Sequence, residues 1–355
     1  MNSIDVIIPV LNEEQFILQC LQSVLAFNRP IEIAWRIFVV DGGSSDGTLA
    51  IINKVAAEHP EVEVLANPGR IQSCALNIAL RRGRGEYVLR LDAHATYPSD
   101  YLAQCVQASI ASGADNVGGV FKTLPGADTY PAQVVQAVTT HRFGVGNAEF
   151  RLQPEPGPAD TVPYGFFKRS VFEKVGYFDE RLVRNQDYEL NCRISASGGR
   201  IWLNPKIVVN YHNQATVGGF LKKQFTKEGP YNAYLWYLAP YARAYRHGIT
   251  GVFAAGVMGG GLCLFLNHRL AIIFLLMMGL YLILSFAAST QQAVRYKCLR
   301  HLVTLPPVFL AFHFVHGLGV LSGLARLALG IAPVQRIHEP WPGYGAYRIR
   351  LPNKN

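Results

Sequence analysis

An aspartate and a histidine stand two residues apart in the stretch "LRLDAHATYP" (89–98), directly after an apolar run of strand length. The carboxylate of Asp92 accepts hydrogen bonds, and the imidazole of His94 can donate, accept or act as a ligand. At the end of a strand, this spacing allows both side chains to share one ligand. The nature of that ligand depends on the elements that bring other polar residues beside this pair.

Apolar runs of strand length alternate with helical patterns in the N-terminal part of the chain. Strands buried on both faces and separated by helices of about 10–15 residues are typical of a parallel sheet covered on both sides. We therefore expect an α/β fold with a doubly wound, mostly parallel sheet, in which Asp46 caps the second helix. The predicted strands are 5–11, 36–40, 61–66 and 86–91, and the predicted helices are 13–26, 48–58 and 71–82.

A polar cluster follows each predicted strand: "NEE" (12–14), "DGGSSDG" (41–47), "NPGR" (67–70) and "DAH" (92–94). In doubly wound sheets, ligands bind beyond the carboxyl ends of the strands. Glycine and serine turns leave room for a nucleotide, Asp41 can accept hydrogen bonds from a base or ribose, and Arg70 can pair with phosphate or contact the base. The first strand is not followed by GxGxxG and the chain has no GxxxxGKS/T, so the dinucleotide and P-loop signatures are lacking.

Most of the net charge of +9 belongs to the apolar C-terminal part of the chain. From Leu262 onward, nine lysines and arginines accompany one acidic residue, Glu339, whereas residues 1–246 carry 24 basic and 23 acidic side chains. This distribution favours contact with anionic membrane lipids over nucleic acid, for which no basic helix with interleaved aromatics is found before residue 247. Six scattered cysteines without a CxxC pair indicate a reducing compartment.

Three C-terminal apolar runs are long enough to cross a bilayer: 249–266, 270–290 and 302–325. The first two contain no charged residue and are separated by three residues, which favours a transmembrane hairpin over two buried helices. The third contains two prolines and two histidines, so it forms either a third span, which we favour, or a shallow broken helix.

Basic loops at 241–247 and 291–301 flank the hairpin and belong on the cytoplasmic side by the positive-inside rule. The first ten residues lack the basic and apolar regions of a signal peptide. We therefore expect a multi-pass membrane protein with a cytoplasmic catalytic domain at 1–246, a transmembrane region at 247–331 and a basic, aromatic interfacial tail at 332–355.

The segments "VIIPVLNEE", "FVVDGGSSDGT", "NPGRIQSCALNIAL" and "LRLDAHATYP" follow one another in an order that resembles the inverting glycosyltransferases of family two, which have the GT-A fold. The resemblance continues through "GFFKRSVFEKVGYFDE" (165–180), "NQDYELNCR" (185–193) and "NPKIVVNYH" (204–212). It is strongest to membrane-attached enzymes of bacterial exopolysaccharide synthesis. These motifs are specific for the fold and the reaction class, and much less so for the sugars that are joined.

The resemblance implies a donor-binding pocket at the ends of the first three strands. In that pocket Asp41 would hold the nucleoside, with Arg70 near the base. The residues that would shape it are Val10, Asn12 and Glu13.

The resemblance places Asp92 and His94 at the family's DxD motif, whose carboxylates bind a divalent cation on the donor diphosphate. Because His94 replaces the second carboxylate and neutral imidazole suits Mn²⁺ better than Mg²⁺, we expect Mn²⁺, with Mg²⁺ as a substitute. His212 is a further candidate metal ligand. Either histidine has a structural alternative: His94 would orient Asp92, and His212 would be a satisfied residue at a strand end.

Asp187 matches the second acid of the family's Glu-Asp pair, which implies that it is the catalytic base, whereas Gln186 replaces the first acid. The alternative is that Asp187 only caps the following helix. Glu189 is the reserve candidate, although an i,i+4 pair with Arg193 is favoured for it. A basic cluster that either reaches a phosphate group or faces solvent consists of Lys222, Lys223 and Lys227.

The combined pattern predicts a non-processive, inverting hexosyltransferase. We expect it to move a hexose, with glucose favoured, from a UDP-sugar to a polyprenyl-diphosphate-linked saccharide at a bacterial inner membrane. The QxxRW motif of processive synthases is not found, and "KKQFTKEG" (222–229) stands in its place. The alternatives are a polyprenyl-phosphate monosaccharide synthase and an inactive, nucleotide-binding membrane scaffold.

Overall fold

The computed structural model of the chain describes residues 2–28, 32–152 and 155–334. These residues fall into two compact units. The first unit contains residues up to Lys122 together with 155–211, and the second contains Thr123–Leu152 and His212–Val334. Residues 123–152 and 212–246, which the sequence-based division assigns to the catalytic domain, thus group with the apolar C-terminal helices; that division stays a prediction. Of the expected interfacial tail, 335–355 lies outside the described residues.

The strands of the described chain form one mixed sheet. In chain order they are β1 (Ser3–Val10), β2 (Ala34–Asp41), β3 (Val62–Ala66), β4 (Tyr87–Arg90), β5 (Asn116–Leu124), β6 (Gly157–Pro158), β7 (Phe166–Lys168) and β8 (Ile201–His212). The spatial order is β3-β2-β1-β4-β7-β5-β8-β6. β1 to β4 pair in parallel, whereas β7 is antiparallel to β4 and β5. The prediction of a mostly parallel, doubly wound sheet is confirmed.

Helices connect and cover these strands. In chain order they are α1 (Ile17–Leu25), α2 (Thr48–Glu58), α3 (Gln72–Arg82), α4 (Tyr101–Ser112), α5 (Tyr130–Thr139), α6 (Arg142–Val145), α7 (Ser170–Val175), α8 (Gln186–Ala196), α9 (Val217–Lys223), α10 (Gly229–Leu238), α11 (Tyr245–Leu266), α12 (His268–Arg295) and α13 (His301–Ala328). A single π-helical turn, Gln224–Glu228, joins α9 to α10.

One predicted helix start and one predicted N-cap need correction. Helix α1 begins at Ile17 and not at residue 13, because the residues from 12 to 14 instead hydrogen-bond the loop after β2. Helix α2 has the predicted bounds, but its N-cap is Gly47. Asp46 still accepts a hydrogen bond from the Thr48 N–H at 3.1 Å. The pKa of the Asp46 carboxyl is lowered, mainly by its hydrogen bond with the Thr48 side chain.

The central strands of the first unit are buried along nearly their whole length. Ile4 and Ile7 in β1 and Phe38 in β2 are fully buried. Burial of one such side chain stabilises the fold by about 1.5–3 kcal/mol. The apolar runs therefore explain why these segments form the interior of the sheet, which leaves the chemistry to the residues at the strand ends.

The second unit contains three helices that are long and apolar enough to cross a membrane: α11, α12 and α13. The third is a continuous helix, although Pro306 and Pro307 lie inside it and lack the N–H groups that would bond the carbonyls of the preceding turn. The structure thus has a helix where the sequence allowed either a span or a broken segment.

Helices α11 and α13 approach closely at a glycine. A Cβ added to Gly317 would lie 2.0 Å from the carbonyl oxygen of Thr250. One residue before it, the His316 Nδ1 lies 2.7 Å from the Thr250 hydroxyl. Small residues and interhelical hydrogen bonds of this kind are typical of helices that pack within a bilayer.

Candidate active site

The register of the sheet brings four strand ends to one edge of the first unit. Val10, the last residue of β1, pairs with Asp41, and Asp41 pairs with Ala66 at the end of β3. Strand β4 ends three residues lower, where Arg90 pairs with Ile7. The polar clusters that the sequence places after each strand therefore emerge at the same edge.

The loops after β1 and β2 are joined by hydrogen bonds between main chain and side chain. The Asn12 N–H donates to the Ser44 hydroxyl at 2.9 Å, and the Asn12 amide oxygen accepts from the Ser45 N–H at 2.8 Å. The Glu13 N–H donates to the Thr48 hydroxyl at 2.8 Å. Asn12 has a φ of 56°, in the left-handed region that asparagine tolerates better than most residues. These hydrogen bonds hold the two loops together, so that they form one wall of the predicted nucleoside pocket.

Asp41 is buried, and its carboxylate shapes the loop that follows it. It accepts hydrogen bonds from the Gly43 N–H at 2.9 Å, from the Ser44 N–H at 3.1 Å and from the Ser44 hydroxyl at 2.5 Å. Gly43 has a φ of 77°, which a glycine adopts without strain. Asp41 therefore braces the predicted nucleoside pocket, and its direct contact with a nucleoside stays a prediction.

Arg70 and Val10 lie near the same loop. The Arg70 guanidinium is exposed, and its Nη2 lies 3.4 Å from the carbonyl oxygen of Gly43. Val10 is buried and accepts a hydrogen bond from the Gly42 N–H through its carbonyl. Of this predicted set, Arg70 therefore presents an exposed cation beside the loop, whereas Val10 is buried and binds the loop through its carbonyl oxygen.

Asp92 is held from two sides just beyond β4. The hydroxyl of Tyr97 accepts from the Asp92 N–H at 2.8 Å and donates to the Asp92 carbonyl oxygen at 3.0 Å. The Oδ1 atom of Asp92 accepts from Gln72 Nε2 at 2.8 Å and lies 3.0 Å from Arg90 Nη2. The Oδ2 atom lies 3.9 Å from His94 Nε2.

His94 is half-exposed and lies between two carboxylates. Its Nδ1 is 3.4 Å from Glu13 Oε1, and its Nε2 faces Asp92. The hydrogen bond with Glu13 raises the pKa of His94 against the opposing effect of burial. The structure thus brings together Glu13, Asp92 and His94, which the sequence assigns to two different clusters.

One carboxylate oxygen and one imidazole nitrogen at the same point form a donor set that suits Mn²⁺, whose remaining ligands would be water and diphosphate oxygens. No group of three His, Cys, Asp or Glu side chains that could hold a metal ion occurs in the part of the chain that the structure describes. His212 is exposed, ends β8 and groups with the second unit, and its assignment as a ligand stays a prediction.

Arg90 is the residue that the sequence analysis missed. Its side chain is 4% exposed, and its Nη2 contacts both Asp92 and Asp187, with 3.5 Å to Asp187 Oδ2. Burial lowers the pKa of Arg90, but the two carboxylates outweigh that effect and raise it, so the guanidinium stays charged. The available signal was a charged residue inside the apolar stretch "YVLRL" (87–91).

Asp187 lies in the first turn of α8, after Asn185 in the left-handed region. Its Oδ1 atom is buried and has no hydrogen-bond partner among the described residues. Burial raises the pKa of the Asp187 carboxyl, with Arg90 opposing the rise and Asp92 adding to it. A carboxylate with one free oxygen and a raised pKa is suited to accept a proton.

Gln186 reaches Asp92 through a second glutamine. Its Nε2 donates to Gln72 Oε1 at 2.5 Å, and Gln72 Nε2 in turn donates to Asp92. The Oε1 atom of Gln186 is buried and lacks a partner among the described residues. Gln186, which replaces the first acid of the family's pair, is therefore connected to Asp92 by two successive hydrogen bonds through Gln72.

Glu189 is fully buried and pairs with Arg193 in the next turn, with 2.6 Å between Oε1 and Nε. Arg193 also donates to the carbonyl oxygens of Val175 and Tyr177. The predicted i,i+4 pair is confirmed. Of the predicted basic cluster, Lys222 and Lys227 are exposed, and Lys223 Nζ lies 3.7 Å from Glu228 Oε1.

A mostly parallel sheet whose strand ends carry a Gly-Ser loop and a carboxylate–imidazole pair is the arrangement expected for the GT-A fold. Residues 5–176 match the model of Glycosyl transferase family 2. This range includes Asp41 and Asp92 and ends before Asp187.

Similar proteins agree with this assignment. The chain is 34% identical to the succinoglycan biosynthesis protein ExoA of Rhizobium meliloti (strain 1021) over 212 residues, which are 59% of this chain and 63% of the relative. It is 26% identical to the dolichyl N-acetyl-alpha-D-glucosaminyl phosphate 3-beta-D-2,3-diacetamido-2,3-dideoxy-beta-D-glucuronosyltransferase of Methanococcus voltae, over 63% of this chain and 71% of that protein. The first relative is thus matched over less than two thirds of its length.

A solved structure has the same fold. The mannosyltransferase PcManGT from Pyrobaculum calidifontis, in complex with GDP-Man and Mn²⁺, superposes with a TM-score of 0.60. The match covers 90% of this chain and 86% of that chain at 20% sequence identity. The GT-A fold expected from the sequence motifs is confirmed.

Proposed function

We propose that this protein is a membrane-attached, inverting glycosyltransferase that moves a hexose from a nucleotide diphosphate sugar to a lipid-linked saccharide. The observation that carries the proposal is the pair of carboxylates at the sheet edge. Asp92 Oδ1 and Asp187 Oδ2 contact the same Arg90 nitrogen, Asp92 Oδ2 lies 3.9 Å from His94 Nε2, and Asp187 Oδ1 has no partner among the described residues. Single-displacement sugar transfer needs a base on one side and a neutralised leaving group on the other.

Asp187 is the base in this proposal. Its free Oδ1 accepts the proton of the acceptor hydroxyl as that oxygen attacks the anomeric carbon, so the hydroxyl need not lose its proton to solvent. The raised pKa of this carboxyl supports the assignment, because a stronger base takes the proton more readily. Inversion follows from a single attack opposite the departing diphosphate.

Asp92 and His94 would hold a divalent cation, Mn²⁺ or Mg²⁺, which when bound neutralises charge on the donor diphosphate. Gln72 and the Tyr97 hydroxyl fix the Asp92 side chain and main chain before any ligand arrives. Such preorganisation lowers the reorganisation needed during the reaction. His212 is proposed as a further ligand only because it ends the last long strand, β8.

The loops after β1 and β2 would bind the nucleoside. Asp41 sets the shape of that pocket, Asn12 and Glu13 line its entrance, and the exposed guanidinium of Arg70 is placed to contact base or phosphate. UDP-glucose is the donor that we propose to test first. The named substrates of the similar proteins are diverse, and the pocket loops carry no feature that selects one base.

The three apolar helices support a lipid-linked acceptor. We propose that they insert in a bacterial inner membrane with the catalytic part in the cytoplasm, as the basic loops at 241–247 and 291–301 favour. A polyprenyl-diphosphate-linked saccharide in exopolysaccharide biosynthesis is the acceptor class that fits this arrangement.

The test incubates purified full-length protein with radiolabelled nucleotide sugars, Mn²⁺ and defined lipid acceptors carrying either one phosphate or a diphosphate-linked saccharide. We expect transfer to the diphosphate-linked saccharide. Transfer only to the monophosphate would instead identify a polyprenyl-phosphate monosaccharide synthase. Nucleotide binding without transfer to any acceptor would identify an inactive scaffold.

The variant Asp187→Asn tests the base within the same assay. We expect kcat to fall by about 10²–10⁴-fold, because this is the usual contribution of a general base, whereas the dissociation constant of the nucleotide changes by less than about threefold. Asp100→Asn is the matched control, because Asp100 is an exposed carboxylate on the same unit. Full activity of Asp187→Asn would overturn the assignment of the base.

A further inference from the structure

Arg90 is placed where a strand residue is normally apolar. It is the last residue of β4, its main-chain N–H donates to the Gly165 carbonyl at 3.1 Å, and its side chain turns into the interior. The guanidinium carbon lies 5.0 Å from the centroid of the Tyr164 ring. A planar cation stacked on an aromatic ring is restricted in orientation, so the direction of its N–H groups is fixed.

One nitrogen of this guanidinium serves two carboxylates. The Nη2 atom lies 3.0 Å from Asp92 Oδ1 and 3.5 Å from Asp187 Oδ2. The closest contact of each carboxylate with Arg90 is therefore made to the same nitrogen. A buried cation at this point screens two negative charges that would otherwise repel each other in a medium of low polarity.

The remaining oxygen of each carboxylate has different surroundings. For Asp92, Gln72 and Arg90 both contact Oδ1, and Oδ2 lies 3.9 Å from His94 Nε2. For Asp187, Oδ1 is buried without a partner among the described residues. The two carboxylates thus share Arg90 but differ in what their second oxygens contact.

We propose that Arg90 is a positioning residue that keeps the two carboxylates in separate roles: Asp92 Oδ2 for the divalent cation and Asp187 Oδ1 for the acceptor hydroxyl. This inference rests on the proposed function. Without the shared guanidinium, two neighbouring carboxylates form a stronger cation site than one, because hard divalent cations bind tightest where several carboxylate oxygens converge. Asp187 would then turn toward the cation and cease to be available as the base.

Replacement of Arg90 should change cation affinity and the rate of transfer in opposite directions. Replacing Arg90 by an uncharged residue removes a positive charge from beside the cation site and releases Asp187 to join it. Cation affinity in the absence of donor therefore rises, while the rate of transfer falls. A role confined to folding would lower cation affinity and activity together.

The variants are Arg90→Met, which removes the charge at similar volume, and Arg90→Lys, which keeps the charge but offers only one ammonium point in place of a planar fork. The matched control is Arg169→Lys, because Arg169 is another arginine of the same unit that is paired with a buried aspartate, Asp5. Mn²⁺ affinity is measured by electron paramagnetic resonance of the free ion without donor, and kcat and KM are measured with the nucleotide sugar.

For Arg90→Met we expect Mn²⁺ to bind about tenfold tighter and the donor KM to change by less than about threefold. We expect kcat to fall by at least about 100-fold, because the loss of a group that orients a ligand typically lowers activity by about 10–100-fold or more. For Arg90→Lys we expect Mn²⁺ affinity within about threefold of the wild type and kcat lower by about tenfold. Arg169→Lys should leave kcat and Mn²⁺ affinity of the folded protein unchanged.

Weaker Mn²⁺ binding in Arg90→Met, or a kcat within about threefold of the wild type in either Arg90 variant, overturns the inference. If Arg90→Met does not fold, the kcat of Arg90→Lys decides alone. Failure of the proposed function is seen separately, as absence of transfer by the wild type, and the Mn²⁺ measurement still tests the separation of the carboxylates in that case.

Discussion

Arg90 and Arg169 pair with aspartates at opposite ends of the same strands of the first unit. Near the start of β1 and β4, Arg169 binds Asp5 and donates to the carbonyl oxygens of Gly85 and Leu80, and the Gly85 N–H also donates to Asp5. Neither Arg169 nor Asp5 has a buried side-chain atom without a partner in the described ranges.

The arginine near the other end of these strands, Arg90, is held in an incomplete network. Its Nε, the Oδ1 of Asp187 and the Oε1 of Gln186 are buried and lack partners within the described part of the chain. Buried polar atoms in proteins are nearly always hydrogen-bonded, and exceptions concentrate where a ligand binds. The network around Arg169 therefore serves to stabilise the fold, whereas the network around Arg90 belongs to the candidate active site.

The largest effect that tests this comparison is expected at Arg169. Arg169→Met leaves Asp5 buried and unpaired, so the free energy of unfolding should fall by about 3–5 kcal/mol, as is usual when one partner of a buried pair is removed. The kcat of the protein that remains folded should not change. Thermal unfolding in detergent and active-site titration measure the two quantities; a large loss of kcat with unchanged stability would break the comparison.

A smaller effect is expected from Ser44→Ala at the nucleotide loop. The Ser44 hydroxyl donates to Asp41 and accepts from the Asn12 N–H, so its removal loosens the pocket wall. A hydrogen bond to a charged group is worth about 1.5–3 kcal/mol, and we expect the donor KM to rise about tenfold with little change in kcat. Ser45→Ala is the control, because the hydroxyl of Ser45 makes only a long contact of 3.3 Å with Asn12. An equal effect of both variants would contradict the assignment of the wall.

The smallest effect concerns pH. The pKa of Asp187 is raised by burial, and only the ionised carboxylate can accept a proton, so kcat should fall as the pH decreases through a value above that of an ordinary aspartate, which is about 3.9. The contribution of Asp187 to the free energy of unfolding changes with pH in the opposite direction. Because the raised pKa means that the protonated carboxyl is favoured in the folded state, this contribution is present at low pH and is lost as the pH rises through the raised pKa.

Unfolding of the wild type and of Asp187→Asn between acid and neutral pH checks this sign. The variant cannot ionise at this position, so it should be the more stable protein at neutral pH and should lose that advantage in acid. An acid limb of kcat at or below the ordinary aspartate value would contradict the raised pKa.

The sequence predicts the parallel half of the sheet well, because apolar runs in β1, β2 and β4 are long enough to require burial on both faces. It also predicts that Asp41, Asp92 and the intervening loops meet at one edge, since parallel strands share their carboxyl ends. The start of α1 is predicted too early because the hydrogen bonds of Asn12 and Glu13 to the β2 loop connect residues more than thirty positions apart, and no local pattern shows them.

The same limit applies to the site. In the sequence, Arg90 is an isolated charge within an apolar strand. Its contact with Asp187 joins β4 to α8, two segments that are distant in the sequence, so only the structure shows it. The relay through Gln72 joins α3 to α8 and is equally hidden. Sequence patterns place residues on elements, whereas the pairing of charges depends on how those elements meet.

The approach of α13 to α11 at Gly317 restricts how the second unit can vary. Any side chain at this position collides with the main chain of Thr250, which no change of rotamer relieves. Many outward positions of α12 carry exposed apolar side chains, such as Ile273 and Leu276, that other apolar residues can replace. In a mutational library selected for function in a different lipid, we therefore expect substitutions to spread over α12 while Gly317 stays fixed.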